Sequence, residues 1–282
     1  MPAARPPVTG IVTCFNEERH IAACLESLAW CDEIVVLDSF STDRTAELAR
    51  AFPRVRFLER TYYGAAAAKN FAMEHAQHEW MFILDADERC TPELQREIEA
   101  LLAATPAHGA YFVKRRCFFL GREIRFSGWQ SDRVVRLIRR GAARHENVRV
   151  HPRVIVEGGE APVLTSALVH HMVEDFHAYL QRMVEYGHWG AAQAWRDGER
   201  ARSFADVLFR PAWRFFRTYV LQLGFLDGGV GVAFCMCQAF ATYAKWSLLW
   251  SWQLDAKRGR SPQLPEFDPS GESRRGAQPG RE

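Results

Sequence analysis

The chain lacks most of the marks that assign a protein to a class at sight. It has seven cysteines, an odd number, and no C-x-x-C pair. Neither a disulfide framework nor a zinc site is implied, and reduced thiols in the cytosol fit best. Met1 to Pro7 carries no apolar signal segment. The net charge is only +2, which gives no footing for a nucleic-acid binder. No glycine-rich phosphate loop follows the first apolar run, because Cys14-Phe15-Asn16-Glu17 occupies that turn. No internal repeat is visible. What remains is a chain of 282 residues, 48% hydrophobic and 25% charged, long enough to bury a full core in one or two domains.

The first hundred or so residues alternate two periodicities. Val8 to Cys14, Glu33 to Asp38, Val55 to Leu58 and Trp80 to Leu84 are short apolar runs rich in β-branched residues. Between them, Glu17 to Ala29 and Ala65 to Ala76 have helical spacing. Thr42 is placed to cap a helix through about Phe52, and Thr91-Pro92 to open one through Leu102. Strands separated by helices predict parallel β-α-β units with helices on both faces. In such sheets ligands bind beyond the carboxyl ends of the strands. Asn16, Glu17, Asp38, Asp85 and Asp87 all fall there. From Gly109 to about Val169 the pattern becomes irregular and strand-rich. From Glu174 it is helical, and Ala256 to Glu282 reads as a disordered tail. The division expected is 8–172 for an α/β catalytic domain, 173–254 for a helical region and 255–282 for the tail.

Asp85-Ala86-Asp87-Glu88 follows a buried strand. Two carboxylates at a strand end suit a hard divalent cation, Mg²⁺ or Mn²⁺, which also binds nucleotide phosphates. Strand alternation would send Asp85 and Asp87 the same way. The competing reading is a turn of solvated acids. Asp38 is placed to accept hydrogen bonds from a base or ribose, whereas Asp43 serves the next helix. Lys69, after Gly64-Ala65-Ala66-Ala67-Ala68, would pair with a diphosphate, or else be an exposed helix lysine.

Thr13-Cys14-Phe15-Asn16-Glu17-Glu18, Asp38-Ser39-Phe40-Ser41-Thr42-Asp43, Lys69-Asn70 and Asp85-Ala86-Asp87-Glu88 together resemble glycosyltransferase family 2, in order and spacing, over about residues 8 to 105. Ser127-Gly128-Trp129, Asp132, Arg136, His145-Glu146, His170, Tyr186 and Gly224-Phe225-Leu226-Asp227-Gly228-Gly229 resemble the bacterial subgroup with the lipopolysaccharide-core β-1,4-glucosyltransferases. The resemblance implies a GT-A fold, a Rossmann-like mixed sheet that binds a nucleotide sugar. It implies inverting, metal-assisted transfer of a hexose, such as glucose, to a lipopolysaccharide-core or lipid-linked glycan acceptor. Thr13, Phe15, Glu17, Asp38, Lys69, Asp85 and Ala86 would contact the donor, and Asp87 with His170 the metal. No Glu-Asp pair supplies the base that many relatives use. Asp132 takes that role, with Glu146 second, against a plain ion pair of Asp132 with Arg133 or Arg136.

Arg210, Arg214 and Arg217 share one helical face among Phe209, Trp213, Phe215 and Phe216. Thr218 to Leu254 then contains only Asp227 and Lys245 as charged residues. This pattern predicts a membrane-associating helical region at the cytoplasmic side of the inner membrane, peripheral or partly inserted. A buried hairpin or a homo-oligomer surface is the alternative, with a cytoplasmic protein as its consequence. The rival functions are nucleotidyl transfer and a non-catalytic membrane-associated nucleotide-binding scaffold. The absent glycine-rich loop counts against the first, and the intact acid pair against the second.

Overall fold

The computed structural model describes residues 5–146, 153–159, 161–262 and 264. The chain divides into two compact units. The first holds Met1–Arg115 and Arg133–His170, the second Arg116–Asp132 and His171–Glu266.

The first unit follows the predicted β-α-β rhythm. Its elements are β1 (Val8–Cys14), α1 (Ile21–Ser27), β2 (Glu33–Asp38), α2 (Thr45–Ala51), β3 (Val55–Glu59), α3 (Ala65–Glu74), β4 (Trp80–Asp85), β5 (Glu88–Arg89) and α4 (Pro92–Ala103). After these come β6 (Ala110–Phe119), β7 (Arg122–Ile124), β8 (Arg133–Arg139), β9 (Ala143–His145), β10 (Val154–Val156) and β11 (Val163–Val173), of which β6 and β11 run on into the second unit and β7 lies in it. The main sheet has the order β3-β2-β1-β4-β8-β6-β11-β5. Strands β1 to β4 pair in parallel, whereas β8 runs antiparallel to β4 and to β6, so the sheet is mixed. Helices cover both faces. Ile21, Leu25, Leu94 and Ile98 pack on Val8 and Val12 from one side, and Ala68 and Ala72 on Ile11 and Val35 from the other. Strands β1 and β2 are buried on both faces, which is why their sequences are nearly continuous apolar runs.

Three local expectations change. Helix α1 starts late, because His20 and Ile21 both donate to the Glu17 carbonyl at 2.9 Å and make a separate turn first. Thr42 does not cap α2; its N–H donates to Asn16 Oδ1 at 2.8 Å, tying the loop after β2 to the loop after β1. The strand does not continue through the acid pair. Ala86 and Asp87 form a turn between β4 and β5, so the turn, not pleat alternation, aims Asp87. The start of α4 is as predicted, with Thr91 Oγ1 accepting from Leu94 N at 3.2 Å ahead of Pro92.

The second unit is mainly helical, as read from Glu174 onward. Asp175 caps α5 (Phe176–Arg196) and Ser203 caps α6 (Phe204–Phe216). A π turn (Arg217–Leu221) and a 3-10 turn (Gly224–Asp227) lead into α7 (Gly228–Lys257). Phe234, Cys235 and Cys237 of α7 pack with Phe119, Tyr179 and Met183; Trp246, Leu249 and Trp252 pack with Ala191 and Ala192 of α5. The two helices approach closely at Gly187, where a Cβ would lie 2.5 Å from that of Ala244. Of the expected tail, residues 263 and 265–282 lie outside the described residues.

Candidate active site

Parallel register assembles the site. Thr13 lies opposite Asp85, and Cys14 opposite Asp38, so three strand ends deliver polar groups at one edge of the sheet. Thr13 Oγ1 donates to Asp85 Oδ1 at 3.2 Å. Asp38 is fully buried and accepts from the Ser41 N–H at 2.7 Å, from Ser41 Oγ, and from Cys14 Sγ at 3.4 Å. Burial, with the Asp38 charge beside it, pushes the Cys14 thiol far up and keeps it protonated.

Asp85 is held by cations on both sides. Lys69 Nζ lies 2.7 Å from Oδ1 and Arg136 Nη2 2.7 Å from Oδ2. Lys69 is buried on α3, so the exposed-lysine reading does not hold. Arg136 Nη2 also donates to Glu88 Oε1 at 2.6 Å, and Glu88 Oε2 accepts from the Asp85 N–H at 3.0 Å. Glu88 is fully buried, with Arg115 Nη1 3.5 Å away. Burial alone would raise the Asp85 carboxyl; Lys69 and Arg136 hold it well below the usual carboxylate range. Burial alone would lower Arg136, but Glu88 and Asp85 keep its guanidinium charged.

Asp87 is treated differently. His170 Nε2 lies 3.3 Å from Asp87 Oδ2, placed there by the antiparallel register that sets His170 opposite Glu88. Burial works against ionisation of Asp87, yet the His170 hydrogen bond and charge bring its carboxyl below the ordinary value. The two acids of the motif are therefore unequal. Asp85 is neutralised by an ammonium and a guanidinium, whereas Asp87 faces an imidazole, which can itself bind a metal once deprotonated. A divalent cation fits Asp87 with His170, since a carboxylate and an imidazole are both ordinary ligands. Asp85 is the poorer cation ligand, because Lys69 and Arg136 already offset its charge, but its partly exposed carboxylate can still accept a further hydrogen bond. Among the described residues no three His, Cys, Asp or Glu side chains gather as a cation site. The remaining coordination would come from ligand oxygens and water.

The other predicted residues are placed as follows. Phe15 is 54% exposed just past β1, and Ala86 is buried in the turn. The Glu17 N–H donates to Thr45 Oγ1 at 2.7 Å. Asp43 accepts from the Thr45 N–H at 3.0 Å and the Glu18 N–H at 3.1 Å, the structural task expected of it. The structure thus gathers Thr13, Lys69, Asp85, Ala86, Asp87 and His170 in the first unit. Asp132 belongs to the second, where its N–H donates to the Trp129 carbonyl at 3.1 Å and Cys117 Sγ approaches its Oδ2 at 3.8 Å. Arg136 is committed to Asp85 and Glu88. The Glu146 N–H donates to the Arg153 carbonyl at 2.8 Å.

Four residues quoted within the sequence motifs have tasks that sequence reasoning did not foresee. Arg136 and Glu88 form the clamp on Asp85. The signal was an arginine inside the apolar run Val134-Val135-Arg136-Leu137-Ile138, since a buried guanidinium requires an acid. His145 is the third. Asn70 clamps its backbone, with Oδ1 accepting its N–H and Nδ2 donating to its carbonyl, both at 2.9 Å. Burial, then Lys69 and Arg136, lower its imidazole to about 4, so it is neutral at pH 7. The fourth, in the second unit, is Asp227. It accepts from the Arg125 N–H at 2.9 Å, the Phe126 N–H at 3.1 Å and Ser127 Oγ at 3.1 Å, holding the loop that leads to Asp132. The glycines around it are needed for space: a Cβ on Gly231 would sit 2.1 Å from the Gly224 carbonyl oxygen.

Against this geometry, the family model for glycosyl transferase family 2 matches residues 9–154. The chain belongs to glycosyltransferase family 2. It is 31% identical over 254 residues to the lipopolysaccharide core biosynthesis glycosyltransferase LpsC of Rhizobium meliloti (strain 1021), covering 86% of this chain and 94% of that one. It is 23% identical to the glycosyltransferase RT0209 of Rickettsia typhi (strain ATCC VR-144 / Wilmington), over 82% of each chain. Among solved structures, the mannosyltransferase PcManGT from Pyrobaculum calidifontis, in complex with GDP-Man and Mn²⁺, superposes with a TM-score of 0.51 at 20% identity over 89% of each chain. That likeness supports the GT-A-type fold. This family 2 glycosyltransferase thus has the mixed α/β sheet that its motifs implied.

Proposed function

We propose that this glycosyltransferase transfers a hexose, with glucose the first candidate, from a nucleoside-diphosphate sugar to a lipopolysaccharide-core or other lipid-linked glycan acceptor. The observation that carries the reading is the unequal pair at Asp85 and Asp87. Asp85, fixed by Lys69 and Arg136, is a rigid acceptor for a ribose hydroxyl. Asp87, with His170, is the carboxylate left for Mg²⁺ or Mn²⁺, which when bound offsets the charge of the departing diphosphate. Thr13, Phe15, Glu17, Asp38, Lys69 and Ala86 complete the donor site, with Asp38 directed to the base. Asp132 takes the proton of the acceptor hydroxyl, with Glu146 the alternative. The acceptor oxygen then bonds to the anomeric carbon as the bond to the diphosphate breaks on the opposite face, inverting the configuration. Residues 8–172 form the catalytic domain in this reading, and 173–254 the acceptor-side, membrane-associating region. The similarity to LpsC, a lipopolysaccharide core biosynthesis glycosyltransferase, supports the acceptor class, and the cytoplasmic side of the inner membrane is the site of action in this reading.

The test is a donor-hydrolysis and transfer screen with UDP-glucose, UDP-galactose, UDP-N-acetylglucosamine and GDP-mannose, with and without Mn²⁺. One donor should be turned over, in a metal-dependent way. Asp87→Asn should lower turnover about 10³-fold, the scale of losing a preorganised charge at a developing anion. Full activity of metal-free protein in EDTA would sink the metal assignment.

A further inference from the structure

Helix α6 is apolar on two opposite sides. Val207 and Pro211 are buried, and the Thr218 that follows in the π turn is too. By helical geometry Phe209, Trp213 and Phe216 lie on the far side, and they are 72%, 57% and 44% exposed. A helix packed on one side only has no structural need of aromatic rings on the other. Adjacent rings compound the exposure, with Trp213 and Phe216 centroids 5.8 Å apart. Arg210, Arg214 and Arg217 are exposed, and two of them also reach α7. Arg214 Nη2 donates to Gln238 of α7 at 3.2 Å, and Arg210 stands 3.8 Å from the Trp246 ring while bonding Asp206 at 2.9 Å. Arg210 and Arg214 thus border the seam between α6 and α7, beside the aromatic stripe and not on it.

Among the described residues one helical stretch, Gly224–Lys257, is long and apolar enough to cross a membrane. Its packing argues against crossing. Phe234, Cys235, Trp246, Leu249 and Trp252 are core residues of the second unit, packed with residues of α5, and α5 carries exposed Arg182 and Glu185. A crossing α7 would have to leave that core or draw charged α5 into hydrocarbon.

We propose that the Phe209–Trp213–Phe216 stripe of α6 is an interfacial docking surface for an anionic lipid bilayer, with α6 lying in the headgroup plane and α7 remaining a core helix. Charge complementarity selects the occupant: between Glu199 and Arg217 there are five arginines against two acids. Exposed aromatics bordered by arginines match the headgroup region, where rings enter the acyl boundary and guanidinium groups meet phosphates. The proposal deepens the membrane part of the proposed function and is independent of donor chemistry.

The test uses the full chain with vesicles of phosphatidylglycerol and phosphatidylethanolamine, against phosphatidylcholine alone. Wild type should bind the anionic vesicles, more weakly at high salt. Phe209→Ser/Trp213→Ser/Phe216→Ser should bind at least about tenfold more weakly, since three inserted rings are lost. It should fold normally, because these rings are exposed. Brominated acyl chains should quench tryptophan fluorescence in the wild type and less in Trp213→Phe, a readout that needs no triple variant. Wild type that ignores anionic vesicles, or binds them without quenching, overturns the proposal. So does wild-type dimerisation that the triple variant abolishes while neither protein binds lipid, which would assign the stripe to a second copy. Donor hydrolysis by the triple variant in solution should be unchanged. A triple variant that binds anionic vesicles as tightly as wild type also overturns the proposal. A wild type that binds them with quenching but hydrolyses no donor counts against the donor reading and leaves the lipid surface standing.

Discussion

In the first unit charged side chains are buried, and in the second aromatic ones are exposed. Glu88, Lys69 and Arg136 are buried around the partly exposed Asp85 at the end of β4, while Phe209, Trp213 and Phe216 stand in water. Each arrangement is locally unfavourable. Desolvating an ion costs several kcal/mol before pairing, at order of magnitude, and an exposed ring forgoes about 1.5–3 kcal/mol of burial. Sequences that break such local rules mark the places where something other than folding sets the residue. The comparison also separates two kinds of site. The buried network is complete within the protein, each acid already facing a cation. The exposed stripe is incomplete until a surface covers it.

The largest effect expected from breaking this contrast is at Arg136. Arg136→Met leaves Glu88 buried with only Arg115, 3.5 Å away, and Asp85 with only Lys69. A loss of about 3 kcal/mol is expected, at the low end for a broken buried pair because each acid keeps one cation. Denaturant unfolding measures it. Arg136→Met/Glu88→Gln should recover much of that loss. If Arg136→Met is as stable as wild type, the clamp holds no buried charge apart.

His145 sharpens the same contrast through pH. Its imidazole titrates near 4 when folded, against an ordinary value near 6.5, so the unfolded chain binds the extra proton. The sign follows: this contribution is fully present above about pH 6.5 and is lost as pH falls toward 4, about 3 kcal/mol in all. The depressed carboxyls of Asp85 and Asp87 lose their contribution lower, as pH falls below the ordinary carboxylate value of 3.8. His145→Gln should therefore flatten the stability profile between pH 6.5 and 4 and leave the more acidic limb. A profile in that window unchanged by the substitution would show that His145 protonates freely when folded.

How much of this could be read beforehand differs between the two regions. The strand ends were legible, because alternating periodicities predict parallel units, and parallel register sets Thr13 beside Asp85 and Cys14 beside Asp38. The clamp was not. Arg136 reaches Asp85 through an antiparallel pairing of β8 with β4, and periodicity does not specify which strands become neighbours. The turn at Ala86-Asp87 was one of two readings left open, because a two-residue strand follows it. In α6 the spacing put the three arginines on one face but read the aromatics as part of it, whereas Phe209, Trp213 and Phe216 form a neighbouring stripe. It could not say which face meets α7, because arginine packs over aromatic rings as well as in water, and Arg210 does so over Trp246.

The smallest expected effect lies in the second unit and concerns a partly exposed polar tie, unlike the buried ones of the first unit. Asp227 accepts two backbone N–H groups and one hydroxyl from residues 125–127, in the loop that leads to Asp132. Asp227→Ala removes both acceptor oxygens and with them three hydrogen bonds, but Gln222 still holds the loop through the Ser127 N–H at 3.0 Å. A stability loss of about 1–2 kcal/mol is expected, since water can reach the freed groups of this partly exposed loop. Asp227→Asn should recover part of it, because an amide oxygen can replace one carboxylate oxygen. If Asp132 is the base, loosening its loop should lower kcat several-fold and leave donor KM unchanged, because the donor residues are in the first unit. A rise in donor KM at constant kcat would instead tie this loop to donor binding, and Asp132 would lose its claim to the proton.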